Sequence, residues 1–499
     1  MPSQPSTNRP LVIAAVIAAM FMIAIEATIV STAMPQIAAQ LGGLHLYAWV
    51  FAAFLLTQTA MTVVFGKLSD LYGRRPVLLF GIAIFVIASI LCGFATSMPQ
   101  LITFRLLQGV GAGAIQPVGM TVVGDLYSAE ERGRVQGWLA SVWAISAVIG
   151  PLIGGFIIQS LSWAWIFWIN VPVGIIAAAG FILFLHENVG GTRRSVDWLG
   201  SLLFIVVVAA LMVALTQEGA GDGRTAGIAA VVFLVGLGLF ILQERHAPEP
   251  MMAFDLWRER AIAVANVASL LAGIALVGLT SFLPMYVQGV LRQTPLVAGL
   301  AMTMMVVGWP IGATFAAKVL VRTGLRALLI AGVALMPIGA IPFVLLGPES
   351  SPITAGLGSA VIGLGMGLLS TAALVMVQEI VDWSQRGSAT ASNLFSRNLG
   401  STLGAAVLGA VLNYGLAHQS GGAPPVTADE LRQLLAQSGL DTGDAPIIRA
   451  ALQNGLHLTF WGVLLVSAAA LAVGLLVPAV PLRRPVRELE TAVADEAAF

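Results

Sequence analysis

The sequence predicts an all-α membrane protein of 14 transmembrane helices, arranged as two six-helix bundles with two extra helices inserted between them. Three observations predict it: composition, the sidedness of the basic residues, and an internal repeat. Of 499 residues, 58% are hydrophobic and 10% charged, with a mean hydropathy of +0.92, whereas a soluble chain carries about 25% charge. At about 20 apolar residues per crossing, about 12 to 14 spans consume nearly all of this apolar content. Little remains for a globular domain.

Long apolar stretches bounded by charge, Gly or Pro place helices near 11–34, 47–66, 76–95, 101–123, 134–158, 165–186, 197–215 and 225–243. Six more follow near 261–290, 296–317, 325–346, 352–377, 388–416 and 455–478. The first run follows Arg9 but is too long for a secretory signal and lacks a small-residue cleavage site, so it reads as an uncleaved span. A β-barrel would show short alternating segments instead.

With this count, eighteen of the 24 basic residues fall on one side, among them Lys67, Arg74, Arg75, Arg132, Arg193, Arg258, Lys318, Arg326, Arg386 and Arg484. Four, Arg224, Arg292, Arg432 and Arg449, fall on the other, and Arg105 and Arg397 lie inside spans. Positive charge marks the cytoplasmic side, so both termini are expected there, in a bacterial-type inner (plasma) membrane.

The repeat appears twice. Gly66 to Arg75 aligns with Ala317 to Arg326 at a shift of 251, and Gly109, Gly111 and Gly113 align with Gly363, Gly365 and Gly367 at a shift of 254. Similar shifts indicate a duplicated bundle, the plan of a transporter whose halves rock. The expected organisation is 1–190 as the N-terminal bundle, 191–260 as two inserted linker helices, and 261–499 as the C-terminal bundle. The last carries an extracytoplasmic loop at 417–454, in which Thr427 to Leu435 reads as a capped short helix.

Composition and spacing also exclude chemistries. The single cysteine, Cys92, allows no intramolecular disulfide. The five histidines lack ligand spacing, so no metal or other cofactor is expected. No phosphate-cradling G-x-x-x-x-G-K-[ST] segment occurs. Zero net charge without basic tracts argues against nucleic acid. No nucleophile with a base lies within the spans, so an embedded enzyme is not expected.

Four ordered segments resemble the major facilitator superfamily, specifically its 14-span drug:proton antiporter branch. Gly66 to Arg75 resembles the signature loop between spans 2 and 3, and Arg105 to Gly113 resembles the span-4 motif. Gly150-Pro151-Leu152-Ile153-Gly154-Gly155 resembles the span-5 antiporter motif. Thr28 to Pro35, preceded by Glu26, resembles the span-1 motif of the 14-span branch, where the acid is commonly Asp.

Glu26 is the only acid deep in an apolar run. A charge at that depth costs roughly 2.5 to 3.5 kcal/mol on insertion scales, so such groups face cavities and serve ion pathways. Removal from water favours the protonated form of a carboxyl. Glu26 is therefore the candidate proton carrier, with a structural hydrogen bond as the alternative. Arg105 requires an acceptor, and the resemblance implies that it assists proton transfer, with a structural contact to backbone carbonyls or a snorkelling head as the alternative. Arg397, beside Asn393 and Asn398, reads as a polar helix–helix contact, with substrate contact as the alternative. Gln58, Gln116, Asn266, Trp309, Asn393 and Arg397 are candidate cavity contacts on polarity alone.

The resemblance implies a gating latch at Asp70, Gly73, Arg74 and Arg75, docking against the opposite half in the outward-open state. Val321 replaces Asp70 in the second half, so one latch is expected. Gly150, Pro151, Gly154 and Gly155 are expected to pack tightly where the halves meet, with ordinary small-residue packing against a neighbouring helix as the alternative. Asp125, Glu130, Glu131, Arg132 and Arg134 read as a solvated cytoplasmic loop, with a gating role of the kind the resemblance implies as the alternative.

The expected function is proton-coupled efflux of a drug-like, lipophilic compound by alternating access through a cavity lined by spans 1, 4, 9 and 12. The expected partners are a small lipophilic substrate, protons and the bilayer, and the expected state is a monomer. Alternatives are export or proton symport of a specific metabolite, siderophore or lipid, or a transport-dead sensor.

Overall fold

The structure, a computed structural model, describes residues 7–41, 47–187, 197–219, 223–247, 254–293, 295–417 and 445–480. Apolar sequence in hydrocarbon must satisfy its backbone hydrogen bonds internally, and helices do so within one segment. The N-terminal half comprises α1 (Arg9–Leu41), α2 (Tyr47–Tyr72), α3 (Arg74–Gly93), α4 (Met98–Leu126), α5 (Ala129–Ser160), the short α6 (Trp165–Trp168) and α7 (Asn170–Phe184). Then come α8 (Trp198–Gly219), α9 (Gly223–His246) and the short α10 (Phe254–Arg258). The C-terminal half comprises α11 (Arg260–Gly289), α12 (Pro295–Val344), α13 (Pro352–Ile380), a 3-10 turn at Trp383–Gln385, α14 (Arg386–Ala417) and α15 (Ala445–Gly474).

Each predicted segment falls within a helix or overruns its end by a few residues, except that 165–186 is divided between α6 and α7, and α12 contains two segments, divided at Gly324. Among the described residues, ten helices are long and apolar enough to cross a membrane. The predicted short helix at 427–435 lies outside the described residues, as does most of the loop around it.

Helix breaks follow local chemistry. Gly73 separates α2 from α3 with φ 91° and ψ 160°, and Gly324 divides α12 with φ 76° and ψ 163°. Both occupy backbone space that favours glycine, and they stand 251 residues apart. Ser128 and Glu131 form a reciprocal capping box that starts α5.

The glycine triplets show the same duplication in packing. A Cβ on Gly113 would lie 2.7 Å from the Met61 Cβ of α2, and one on Gly111 would lie 2.6 Å from the Gly81 carbonyl of α3. In the C-terminal half, Gly367 abuts Trp309 and Ala313 on the first limb of α12, and Gly365 abuts Gly332 on the second. The outer glycines thus face one neighbour and the middle one faces the other.

The halves meet through α5 against α12 and through α14 against α2. Helices α8 and α9 pack on each other, and α8 also touches α2 and α14, where Phe204 meets Phe395. On α9, Val231, Leu234, Val235, Leu239 and Leu242 stay exposed, as a lipid-facing surface requires.

Candidate functional site

Glu26 is fully buried in α1. Its Oε1 accepts from Arg105 Nη1 of α4 at 2.7 Å, and its Oε2 accepts from Asn170 Nδ2 of α7. The same Arg105 Nη1 donates to Gln108 Oε1 at 2.7 Å, and Arg105 Nε donates to the Val50 carbonyl at 3.2 Å. Gln108 Nε2 donates to Ser89 Oγ of α3 at 2.8 Å. The Arg105 guanidinium also lies over the Phe54 ring at 4.3 Å. Five helices, α1, α2, α3, α4 and α7, thus close one polar network around an ion pair. Removing one member of such a pair costs about 3–5 kcal/mol, because the other charge is left buried alone.

A cavity of about 1260 Å³ lies between the halves. Gln58, Gln116, Trp309, Asn393 and Arg397 line it. Gln58 Nε2 donates to Gln116 Oε1 at 3.3 Å, and Trp309 Nε1 donates to Ser370 Oγ at 3.1 Å. Walls come from α1, α2, α4, α5, α8, α11, both sides of the α12–α13 packing and α14, a wider set than the four spans expected.

Three expectations about polar residues are corrected here. Asn266 does not line the cavity; its Nδ2 donates to Ser392 Oγ at 2.9 Å and its Oδ1 accepts from Asn393 at 3.1 Å, inside the C-terminal bundle. Glu26 and Arg105 are likewise absent from the wall, because each satisfies the other within the N-terminal bundle. Arg397 is not a helix–helix contact: its guanidinium faces the cavity, 5.9 Å from the Trp309 ring centroid.

The basic end of the interface is closed by charge. Asp70 accepts from the backbone N of Gly387 at 2.9 Å, the N of Ser388 at 2.8 Å and Ser388 Oγ at 2.8 Å, at the start of α14, where the helix dipole favours an anion. Arg74 Nη2 lies 3.2 Å from Asp70 Oδ1 and donates to the Trp383 carbonyl at 2.8 Å, with the guanidinium 4.1 Å from the Trp383 ring centroid. Arg74 Nε donates to Asp125 Oδ2 at 2.9 Å. Arg386 Nη1 reaches Asp125 Oδ1 at 3.3 Å from the opposite half, and Arg132 Nη1 meets Glu379 Oε1 at 2.7 Å.

Asp125 and Arg132 are therefore not solvated: Asp125 ends α4 facing Arg74 and Arg386, and Arg132 is buried on Glu379, whereas Glu131, which caps α5, and Arg134 are exposed. Arg75 turns away from the interface, donating through Nη2 to the Ile182 carbonyl at 2.7 Å.

The span-5 glycines pack differently from expectation. A Cβ on Gly150 would collide with Thr28 Oγ1 of α1, in the same half, and one on Gly155 meets nothing within 4 Å. Gly154 is buried, and the Pro151 side chain lies outside the described residues. The close approach of α5 to the opposite half is made by Gly133, whose Cβ would lie 2.7 Å from Ala317 Cβ, and Gly137, whose Cβ would lie 2.5 Å from Thr314 Oγ1. The sequence carried a signal for these contacts, since the 254 shift that aligns the glycine triplets also aligns Asp125 with Glu379 and Arg132-Gly133 with Arg386-Gly387. Asn170 had no comparable signal.

Known proteins match this architecture. The sequence profile of the Major Facilitator Superfamily matches residues 16–405. The multidrug transporter protein MdtP of Bacillus subtilis is 37% identical over 415 residues, covering 82% of this chain and 76% of that protein. Multidrug resistance protein 3 of the same organism is 34% identical over 411 residues, covering 82% and 80%. Among solved structures, the human organic anion transporter MFSD10 has a TM-score of 0.62 at 15% identity, covering 93% of this chain and 100% of that one. The proton:xylose symporter XylE has a TM-score of 0.57 at 13% identity, covering 93% and 94%. At these identities the structures share the fold alone. With profile, relatives and fold in agreement, the chain belongs to the Major Facilitator Superfamily, and it is an integral membrane transporter rather than an enzyme.

Proposed function

We propose that the chain is a proton-coupled antiporter that exports lipophilic, drug-like compounds by alternating access, as a monomer with fourteen crossings and both termini in the cytoplasm of a bacterial-type cell. Relatives named as multidrug transporters support the efflux reading. The observation that carries the coupling is the ion pair of Glu26 and Arg105, held away from water beside the cavity-lining helices.

The basic end is read as cytoplasmic. Asp70, Arg74, Asp125, Arg132, Glu379 and Arg386 then form the cytoplasmic latch, and the cavity extends from Asn393 and Arg397 toward Ala147 and Leu412, the outward ends of α5 and α14. This is the outward-facing arrangement. Protonation neutralises Glu26 and leaves Arg105 with Gln108 and the Val50 carbonyl. Because Glu26 is sealed in this conformation, water must reach it through movement of α1 against α4 and α7. That movement ties the proton to the rocking of the halves.

The test is flux in proteoliposomes under an imposed pH gradient, using fluorescent lipophilic compounds that include neutral, anionic and cationic members. Gradient-accelerated movement of at least one compound is expected. A protein that moves none of them faster with the gradient than without it contradicts the antiporter reading.

A further inference from the structure

We propose that the cavity between the halves takes amphipathic anions, with the Arg397 guanidinium as partner for a carboxylate or sulfonate and the Trp309 ring as the wall for the apolar body. The proposal rests on the reading above only in taking this cavity as the place of the substrate.

Among the described residues lining the cavity, Arg397 is the one with a charged side chain, and none is acidic. Its neighbours are apolar or neutral polar, including Met305, Trp309, Leu394 and Asn398. Arg397 lies 11 residues from the start of α14, about 17 Å along its axis at 1.5 Å per residue, so the charge sits near mid-depth.

The other buried arginines define the contrast. Arg74, Arg105 and Arg132 each hold a carboxylate within 3.2 Å. Among the described residues the Arg397 guanidinium has no hydrogen-bond or ion-pair partner, and its side-chain contact is the face of Trp309 at 5.9 Å. A guanidinium stays charged under all ordinary conditions, and an unpaired charge in such surroundings is costly. No described residue of the chain supplies an anion to complete it, and that role falls to the ligand. A planar fork of donors suits carboxylate and sulfonate oxygens.

A second orphan lies in the same wall. Thr371 Oγ1 is buried without a hydrogen-bond partner, and Thr371 also lines the cavity. A cation entering would face a fixed like charge with no carboxylate among the described lining residues to offset it, so the same arginine that attracts anions disfavours cations.

The test compares two probes that share one apolar body, pyrenebutyrate and pyrenebutyltrimethylammonium. Their binding to the full-length protein in nanodiscs, without a pH gradient, is followed by energy transfer from tryptophan to pyrene. The anion should bind about tenfold or more tightly than the ammonium, as for a hydrogen bond to a charged group. Arg397→Gln should abolish the preference, and Arg397→Lys should retain the preference with weaker anion binding, because charge survives but the fork is lost. Equal binding of the two probes to the wild type overturns the proposal without recourse to any variant, and so does a preference that persists in Arg397→Gln. Because no gradient is applied, failure of proton coupling leaves this result standing. Conversely, gradient-driven flux of cations alone, with no anion preference in binding, preserves the efflux reading and removes this one.

Discussion

Arg132 and Arg386 stand 254 residues apart and cross the interface between the halves in opposite directions. Arg132 of the N-terminal half meets Glu379 at 2.7 Å, and Arg386 of the C-terminal half meets Asp125 at 3.3 Å. The acids are themselves 254 residues apart, so duplication has produced one contact twice, with the partners exchanged. Each following glycine repeats the exchange: Gly133 abuts Ala317, and Gly387 abuts Gly66.

The pair Arg132–Glu379 is buried, and Glu379→Gln leaves the guanidinium without its carboxylate. The cost of roughly 3–5 kcal/mol falls on the closed state alone if the pair opens as the halves rock. Alkylation of a cysteine introduced at Ala389, buried beside the seal, is expected to quicken about tenfold or more in a Cys92→Ala background. An unchanged labelling rate would show that this pair does not hold the end shut.

Gly387→Ala tests the same closure by shape. Its Cβ would lie 2.5 Å from the Gly66 carbonyl and 2.7 Å from Asp70 Oδ1, so α2 and α14 must separate. Faster labelling at Ala389 is expected here too. Gly155→Ala, which meets nothing within 4 Å, serves as the silent control, and equal rates for the two variants would count against closure by contact.

Gly73→Ala and Gly324→Ala place a side chain at φ 91° and 76°. Each is expected to lower stability by about 1–2 kcal/mol, the cost of left-handed backbone for an ordinary residue. Thermal unfolding followed by tryptophan emission reads both, and a loss at only one site would mean that the two turns are not mechanically equivalent.

Helix positions were legible because hydrocarbon permits little else to an apolar chain of this composition. Asp70 was legible through its motif, and Glu26 and Arg105 through their depth together with the motifs they adjoin. Their pairing was not, since 79 residues separate them and a one-dimensional pattern does not say which helices touch. Asp125 and Arg132 were misread for a physical reason: charges between two spans look solvated unless the opposite half supplies partners, which here are Arg386 and Glu379. Arg397 was misjudged in the opposite sense. The neighbouring asparagines suggested a helix contact, but Asn393 turns to Asn266 and Ser269, leaving the arginine to the cavity.

Glu26→Gln measures the central claim most directly, in proteoliposomes carrying any compound the wild type moves under a pH gradient. Glutamine retains one acceptor oxygen, for Arg105, places an amide Nε2 toward Asn170, and cannot take up a proton. The account predicts that exchange of labelled for unlabelled compound continues at equal pH while acceleration by the gradient disappears. A variant that still responds to the gradient as strongly as the wild type would contradict it.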